Sequence, residues 1–262
     1  MTRFLALLIA AILYSVTAPQ LARADAAGDL RAGLYEMRKG DWNAALRVSG
    51  QRGSVSRDII VWHWLREGFG SSGDVLVFLE RRPDWPGLDW LRRKSEPVFT
   101  GADPDRVLKF YAGLPPQTAE GALNYAVALL AKGRRGDAEA DIVTAWRTMP
   151  MGAGLQKNYI ENFSTLLKPH HEARLDRMLW DSHLVSAGQM LPLVSSDQRK
   201  LAEARIALQK RQPGVDGKVA AVPKALKSSP GLAFDRFVWR DRKELDDSAI
   251  DLMLARSTGP QA

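Results

Sequence analysis

The chain has 262 residues, 45% apolar and 26% charged, and its 37 basic against 30 acidic side chains leave a formal charge of +7. That mix excludes disorder and fibrous repeats, and the length can bury a sizeable core as one large domain or two modest ones. The absence of cysteine excludes disulfide frameworks, thiolate-bound zinc, iron–sulfur clusters and thiol nucleophiles.

The first element is a leader. Arg3 gives a short positive start, Phe4 to Tyr14 form an unbroken apolar run, and Ala22-Arg23-Ala24 is a small-x-small cleavage site. This is the layout of a secretory signal peptide. A membrane anchor needs roughly 18 or more apolar residues, and the run is shorter. The expectation is an exported chain cleaved after Ala24, with residues 25–262 mature and Arg3 and Arg23 lost. No later segment approaches spanning length, so no transmembrane segment is expected in the mature chain. Export turns the positive charge away from nucleic acid and toward lipid headgroups or a carboxylate-bearing cell wall.

From Asp25 onward apolar residues recur at helical spacing, with almost no period-two alternation. Leu30, Leu34 and Met37 share one face of a helix ending at Gly40, and Asp41 caps the next, which carries Trp42, Ala45 and Leu46. Ser56 is expected to start a helix through Leu65. Asp74 is expected to open one over Val75 to Arg82, stopped by Pro83. Pro86 has the place of a first-turn proline ahead of Leu88, Trp90 and Leu91. Further helices are predicted near 104–112, 118–132, 136–148, 155–167, 170–181, 196–211, 216–228, 230–241 and 245–256. Connections of two to six residues favour antiparallel neighbours.

One spacing recurs. Ala32-x2-Tyr35-x8-Ala44-x3-Val48 reappears as Ala126-x2-Leu129-x8-Ala138-x3-Ile142, continuing to Ala145 and Pro150. These offsets resemble a degenerate tetratricopeptide unit, in which small residues let two helices approach closely. The separation is not a multiple of that repeat's length, so no regular array is expected. The predicted fold class is all-α, an irregular superhelix of tetratricopeptide-like hairpins over residues 25–262.

Chemistry-bearing patterns are scarce. Gly152-x-Gly154 and Gly70-Ser-Ser-Gly73 match no phosphate-binding motif and read as turns, and no Gly-x-Ser-x-Gly elbow is present. His170-His171-Glu172 is the one tempting metal cluster, yet neighbouring helical side chains diverge by about 100°. His63, between Trp62 and Trp64, reads as a packed residue, and His183 has no evident partner. Two acids flanking one sugar bond would permit glycoside cleavage. Asp246-Asp247 and Asp103/Asp105 are near enough in sequence, but both sit where acids complement a helix start. The basic runs Arg92-Arg93-Lys94, Lys132 to Arg135 and Arg240 to Lys243 read as solvated helix ends. Trp85, Trp90, Trp146, Trp180 and Trp239 fall at apolar helical positions, so core packing is expected for most, with one or two left to stack on sugar rings. The residues assign no catalytic, cofactor-binding or metal position, and no cofactor.

Several stretches resemble soluble lytic murein transglycosylases of the alphaproteobacterial type. They are Arg82-Pro-Asp-Trp-Pro-Gly-Leu-Asp-Trp-Leu-Arg-Arg93, Gly113-Leu-Pro-Pro-Gln-Thr-Ala-Glu-Gly121, Pro169-His-His-Glu-Ala-Arg-Leu-Asp176, Leu201-Ala-Glu-Ala-Arg-Ile-Ala-Leu208 and Arg236-Phe-Val-Trp-Arg-Asp-Arg-Lys243. They are spread in order along the mature chain, from Arg82 to Lys243. The resemblance implies a periplasmic protein and the N-terminal superhelical domain of that family. Members cleave between N-acetylmuramic acid and N-acetylglucosamine without water, leaving a 1,6-anhydro end, through one glutamate of a lysozyme-like domain and no cofactor. The Glu-Ser and Gly-Leu-Met-Gln motifs of that domain do not occur here. Lys94-Ser95-Glu96 echoes the first in reversed order. The expectation is therefore a superhelical segment without its catalytic domain, binding peptidoglycan glycan strands weakly. The alternative partner is an envelope protein held by a stand-alone tetratricopeptide-like module.

Overall fold

The computed structural model describes residues 26–257, and the expected signal peptide, residues 1–24, lies outside them. Among the described residues every regular element is a helix and none is a strand, as the apolar spacing predicts. The chain divides into two compact units, one ending at Gln117 and the other beginning at Thr118.

The first unit contains α1 (26–38), α2 (Trp42–Val48), α3 (Val55–Arg66), α4 (Ser72–Arg81), α5 (Leu88–Ser95) and α6 (Pro104–Phe110), with a 3-10 turn at Glu96–Phe99. Side-chain caps set most of the starts. Asp41 accepts from the Ala44 amide at 2.8 Å, and Asp103 accepts from the amides of Asp105 and Arg106. The Ser56 start moves two residues back, because the hydroxyl of Ser54 takes the Arg57 amide. The Asp74 start likewise moves back to Ser71, which forms a reciprocal capping box with Asp74. Pro86 lies outside α5, whose first cap is Gly87 at φ +68°, a left-handed conformation that glycine adopts without steric cost. Inside, Ile60, Leu65, Val75, Phe78, Leu91, Phe99 and Phe110 are buried, and the rings of Phe99 and Phe110 stack 4.1 Å apart.

The Arg82–Gly87 bend between α4 and α5 is tied on three sides. Arg82 Nε donates to the buried Asp58 carboxylate at 2.9 Å, Trp85 meets Phe78 edge-on at 6.0 Å, and the Trp62 indole donates to the Pro86 carbonyl at 3.0 Å. Glu96 is buried and accepts the Gln117 amide at 2.6 Å.

The second unit runs α7 (Ala119–Ala131), α8 (Arg135–Thr148), α9 (Ala153–Leu167), α10 (His171–Trp180), α11 (Leu184–Met190), α12 (Ser196–Gln209), α13 (Val215–Ala220), α14 (Pro230–Asp241) and α15 (Asp246–Ser257). Thr118 caps α7 through the Gly121 amide, and α7 packs extensively on α8. Ala126, Ala138 and Ala145 are buried at that contact's positions of the recurring spacing, beside Leu129 and Ile142. The copy in the first unit does not repeat this. Ala32 is exposed, Tyr35 and Val48 face solvent, and the close approach there belongs to Gly33, where a Cβ would come within 2.9 Å of Ile60 Cγ1.

Two predictions in this unit need correction. Helix α11 has no side-chain cap and escaped the spacing; Ser186 ties it to the backbone of Met151 in both directions, at 3.3 and 3.2 Å. The helix expected over 216–228 stops at Ala220, because Pro223 cannot donate within it, and only a short 3-10 turn follows at Lys224–Leu226.

Guanidinium groups fasten the helix ends. Arg57 donates to the carbonyls of Leu46 in the last turn of α2 and of Gly50 just past it, Arg92 to that of Phe110 at 2.9 Å, and Arg174 to those of Trp146 and Met149. In each case a cation satisfies carbonyls at the negative end of a helix. Deeper in the second unit, Arg205 Nε reaches Asp235 at 2.7 Å and Arg205 Nη1 reaches Asp176 at 2.8 Å, joining α10, α12 and α14.

Candidate functional site

A concavity lies in the first unit, where α2, α3 and α4 leave an open groove of about 420 Å³. Its lining combines the charged side chains of Arg52, Arg57, Asp58, Asp74 and Arg81 with the apolar ones of Leu46, Val61, Trp64 and Val77. Local structure places each group. Arg52 precedes the Gly53 turn, Arg57 and Trp64 lie on α3, and Val77 and Arg81 on α4.

The charges in the groove are unequally matched. Asp58 is 1% exposed and is paired with Arg82 at 2.9 Å and Arg81 at 3.4 Å. Asp74 accepts from the amide and hydroxyl of Ser71 at 2.9 and 2.7 Å. Arg57 uses Nη1 on backbone carbonyls, and neither it nor Arg52 has an ion pair among the described residues. Burial pushes the Arg57 guanidinium below its ordinary value, and the nearby Arg52 charge pushes it further. The groove can thus hold an anion against the arginines with an apolar group against the rest of its lining. Spacing along the chain did not signal it: Arg52, Arg57 and Arg81 belong to three separate segments, and only the crossing of α3 and α4 brings them together.

The residues singled out in the sequence are distributed as follows. Trp146 is fully buried, stacked 6.2 Å from Tyr159, and Trp239 is partly buried against the core around Leu208 and Leu232. Trp85 is half-buried on Phe78. Trp90 and Trp180 depart from the expected core packing, at 47% and 43% exposure. Trp180 lies 5.5 Å from the exposed ring of Phe234, with the Arg205 guanidinium 5.2 Å from its own ring. This pair is an aromatic surface of the kind on which sugar rings stack.

The histidines stand apart. The His63 ring meets that of Trp62 at 4.8 Å, and burial lowers its pKa. His171 begins α10 with its ring 5.4 Å from Trp146, while Glu172 accepts from Ser195 on the other side. Burial lowers the His171 pKa first, and the charges of Arg174, His170 and Lys168 lower it further. His183 is an exposed N-cap, and no cluster of three metal-ligating side chains occurs among the described residues. Asp105 and Asp246-Asp247 lie in the first turns of α6 and α15. Gly152 caps α9, and Gly70 is a left-handed turn before α4. Among the basic runs, Arg92 is half-buried on the Phe110 carbonyl, whereas Arg93 and Lys94 are solvated. No helix among the described residues is long and apolar enough to cross a membrane. No protein-family model, no curated protein and no solved structure gives a significant match to this chain.

Proposed function

We propose that the chain is a wall-facing, non-catalytic superhelical segment of a periplasmic lytic transglycosylase, exported by its N-terminal signal peptide. In this reading its tetratricopeptide-like hairpins hold glycan strands weakly. Cleavage between N-acetylmuramic acid and N-acetylglucosamine belongs to a lysozyme-like domain whose motifs this sequence does not contain.

The observation that carries the reading is where the resembling segments fall. Arg82–Arg93 spans the bend pinned to Asp58, Pro169–Asp176 and Leu201–Leu208 supply Arg174, Asp176 and Arg205, and Arg236–Lys243 closes α14. Segments that fasten helices to one another are the ones a shared helical architecture would demand. The basic groove and the Trp180–Phe234 surface suit a polymer of sugars and carboxylate-bearing peptides. A second reading, a module that binds an envelope protein, draws on the close α7–α8 hairpin alone.

Sedimentation with purified sacculi tests the first reading. The chain should pellet partially with sacculi and remain in solution without them. Mass spectrometry of the supernatant should find no anhydromuropeptides, and their release by this chain alone would remove the non-catalytic assignment. Failure to pellet, with retention of an envelope protein on the immobilised chain, would favour the second reading.

A further inference from the structure

We propose that the groove between α3 and α4 is a carboxylate-binding subsite that takes the free acid end of a short peptide carrying small apolar side chains. The identity of that peptide as a wall stem peptide rests on the function proposed above.

Three features of the groove define the ligand. The first is charge: Asp58 is matched by Arg81 and Arg82, so Arg52 and Arg57 are the groove's cations without an ion pair among the described residues. A planar guanidinium meets a carboxylate through two parallel hydrogen bonds, which a lysine would not provide. The position of Arg57 is fixed by its grip on the Leu46 and Gly50 carbonyls, so part of the ordering cost of binding is already met in the free protein. The second is the apolar part of the lining. Leu46, Val61, Trp64 and Val77 suit small apolar groups beside the carboxylate rather than a polyphosphate. The third is size, because about 420 Å³ accommodates a few residues and not a folded partner. Arg57, lowered by burial and by the Arg52 charge, gains an opposite charge when a carboxylate enters.

Calorimetric titration of the full chain tests this with N-acetylmuramyl-L-alanyl-D-isoglutamine, which carries one free carboxylate, and with the same compound amidated there. The free acid should bind at least tenfold more tightly than the amide. Arg52→Glu, a change at an exposed position, should remove that preference while circular dichroism and melting stay as in the parent chain. Arg52→Gln should give an intermediate loss and serves if the reversal perturbs folding. Equal binding of acid and amide would overturn the proposal, as would an unchanged Arg52→Glu variant. Inorganic phosphate binding as tightly as the peptide would do the same, since the apolar lining would then contribute nothing. Sacculus sedimentation separates the two inferences. If the parent and Arg52→Glu chains pellet equally, the subsite falls and wall binding stands. If the acid binds in solution but sacculi are ignored, the wall reading falls and the carboxylate site stands.

Discussion

At the scale of single residues, the second unit depends on a cation that has no carboxylate. Arg174 is 0% exposed, lies 4.6 Å from the Trp146 ring, and donates only through Nη1, leaving Nε and Nη2 without partners. Burial brings its pKa down to about 10, with Tyr159 opposing. A buried charge is tolerated only where oriented dipoles replace water, and here the carbonyls at the end of α8 do so. Arg174→Ala should therefore cost about 3 kcal/mol or more in urea unfolding, since it strands two carbonyls and opens a cavity. Neighbouring His171 gives a pH dependence. Its folded pKa lies below the ordinary 6.5, so the unfolded chain binds more protons in the window between the two values. Stability should fall as pH drops through 6.5 and level off below the folded pKa. His171→Phe should reduce that slope in melting curves between pH 5 and 8, keeping the ring contact with Trp146, while His63, also lowered by burial, sustains the remainder.

At the scale of helices, the joints are made where one element leaves room for another's side chain. Gly231 is the clearest case: a Cβ there would collide with the Arg205 guanidinium that links Asp176 and Asp235. Gly231→Ala should displace Arg205 and lower the melting temperature of the chain by several degrees, more than the same change at Gly136, which has open space around it. Helix starts marked by Thr118, Asp41 and Asp103 were legible, because an N-cap is a local hydrogen bond written into neighbouring residues. Those at Ser54 and Ser71 were legible to within three residues, since several serines compete for the same role. Helix α11 was not, because its tie to Met151 is set by tertiary contact. The groove was illegible for the same reason: Arg52, Arg57 and Arg81 share no period, and single arginines look like solvated surface until two helices cross.

At the scale of the whole chain, charge is the property that sequence and structure express together. A net positive charge, +7 over the full sequence and 35 − 30 = +5 without Arg3 and Arg23, implies an attraction to anionic polymers that salt screens, because the Debye length contracts from about 10 Å at 0.1 M to about 3 Å at 1 M. Raising sodium chloride across that range should reduce sedimentation with sacculi severalfold. A residual, salt-resistant fraction should depend on Trp180 and Phe234, whose contribution is apolar. The arginine-fastened joints have one more consequence, for proteolysis. Trypsin must seat a guanidinium in its own pocket, and it finds exposed ones at Arg93 and Arg147, whereas those of Arg174 and Arg205 are enclosed. Scission after these two would begin only once α10 and α12 have let go of their neighbours, so the order of tryptic fragments is a clock for the opening of the helix joints.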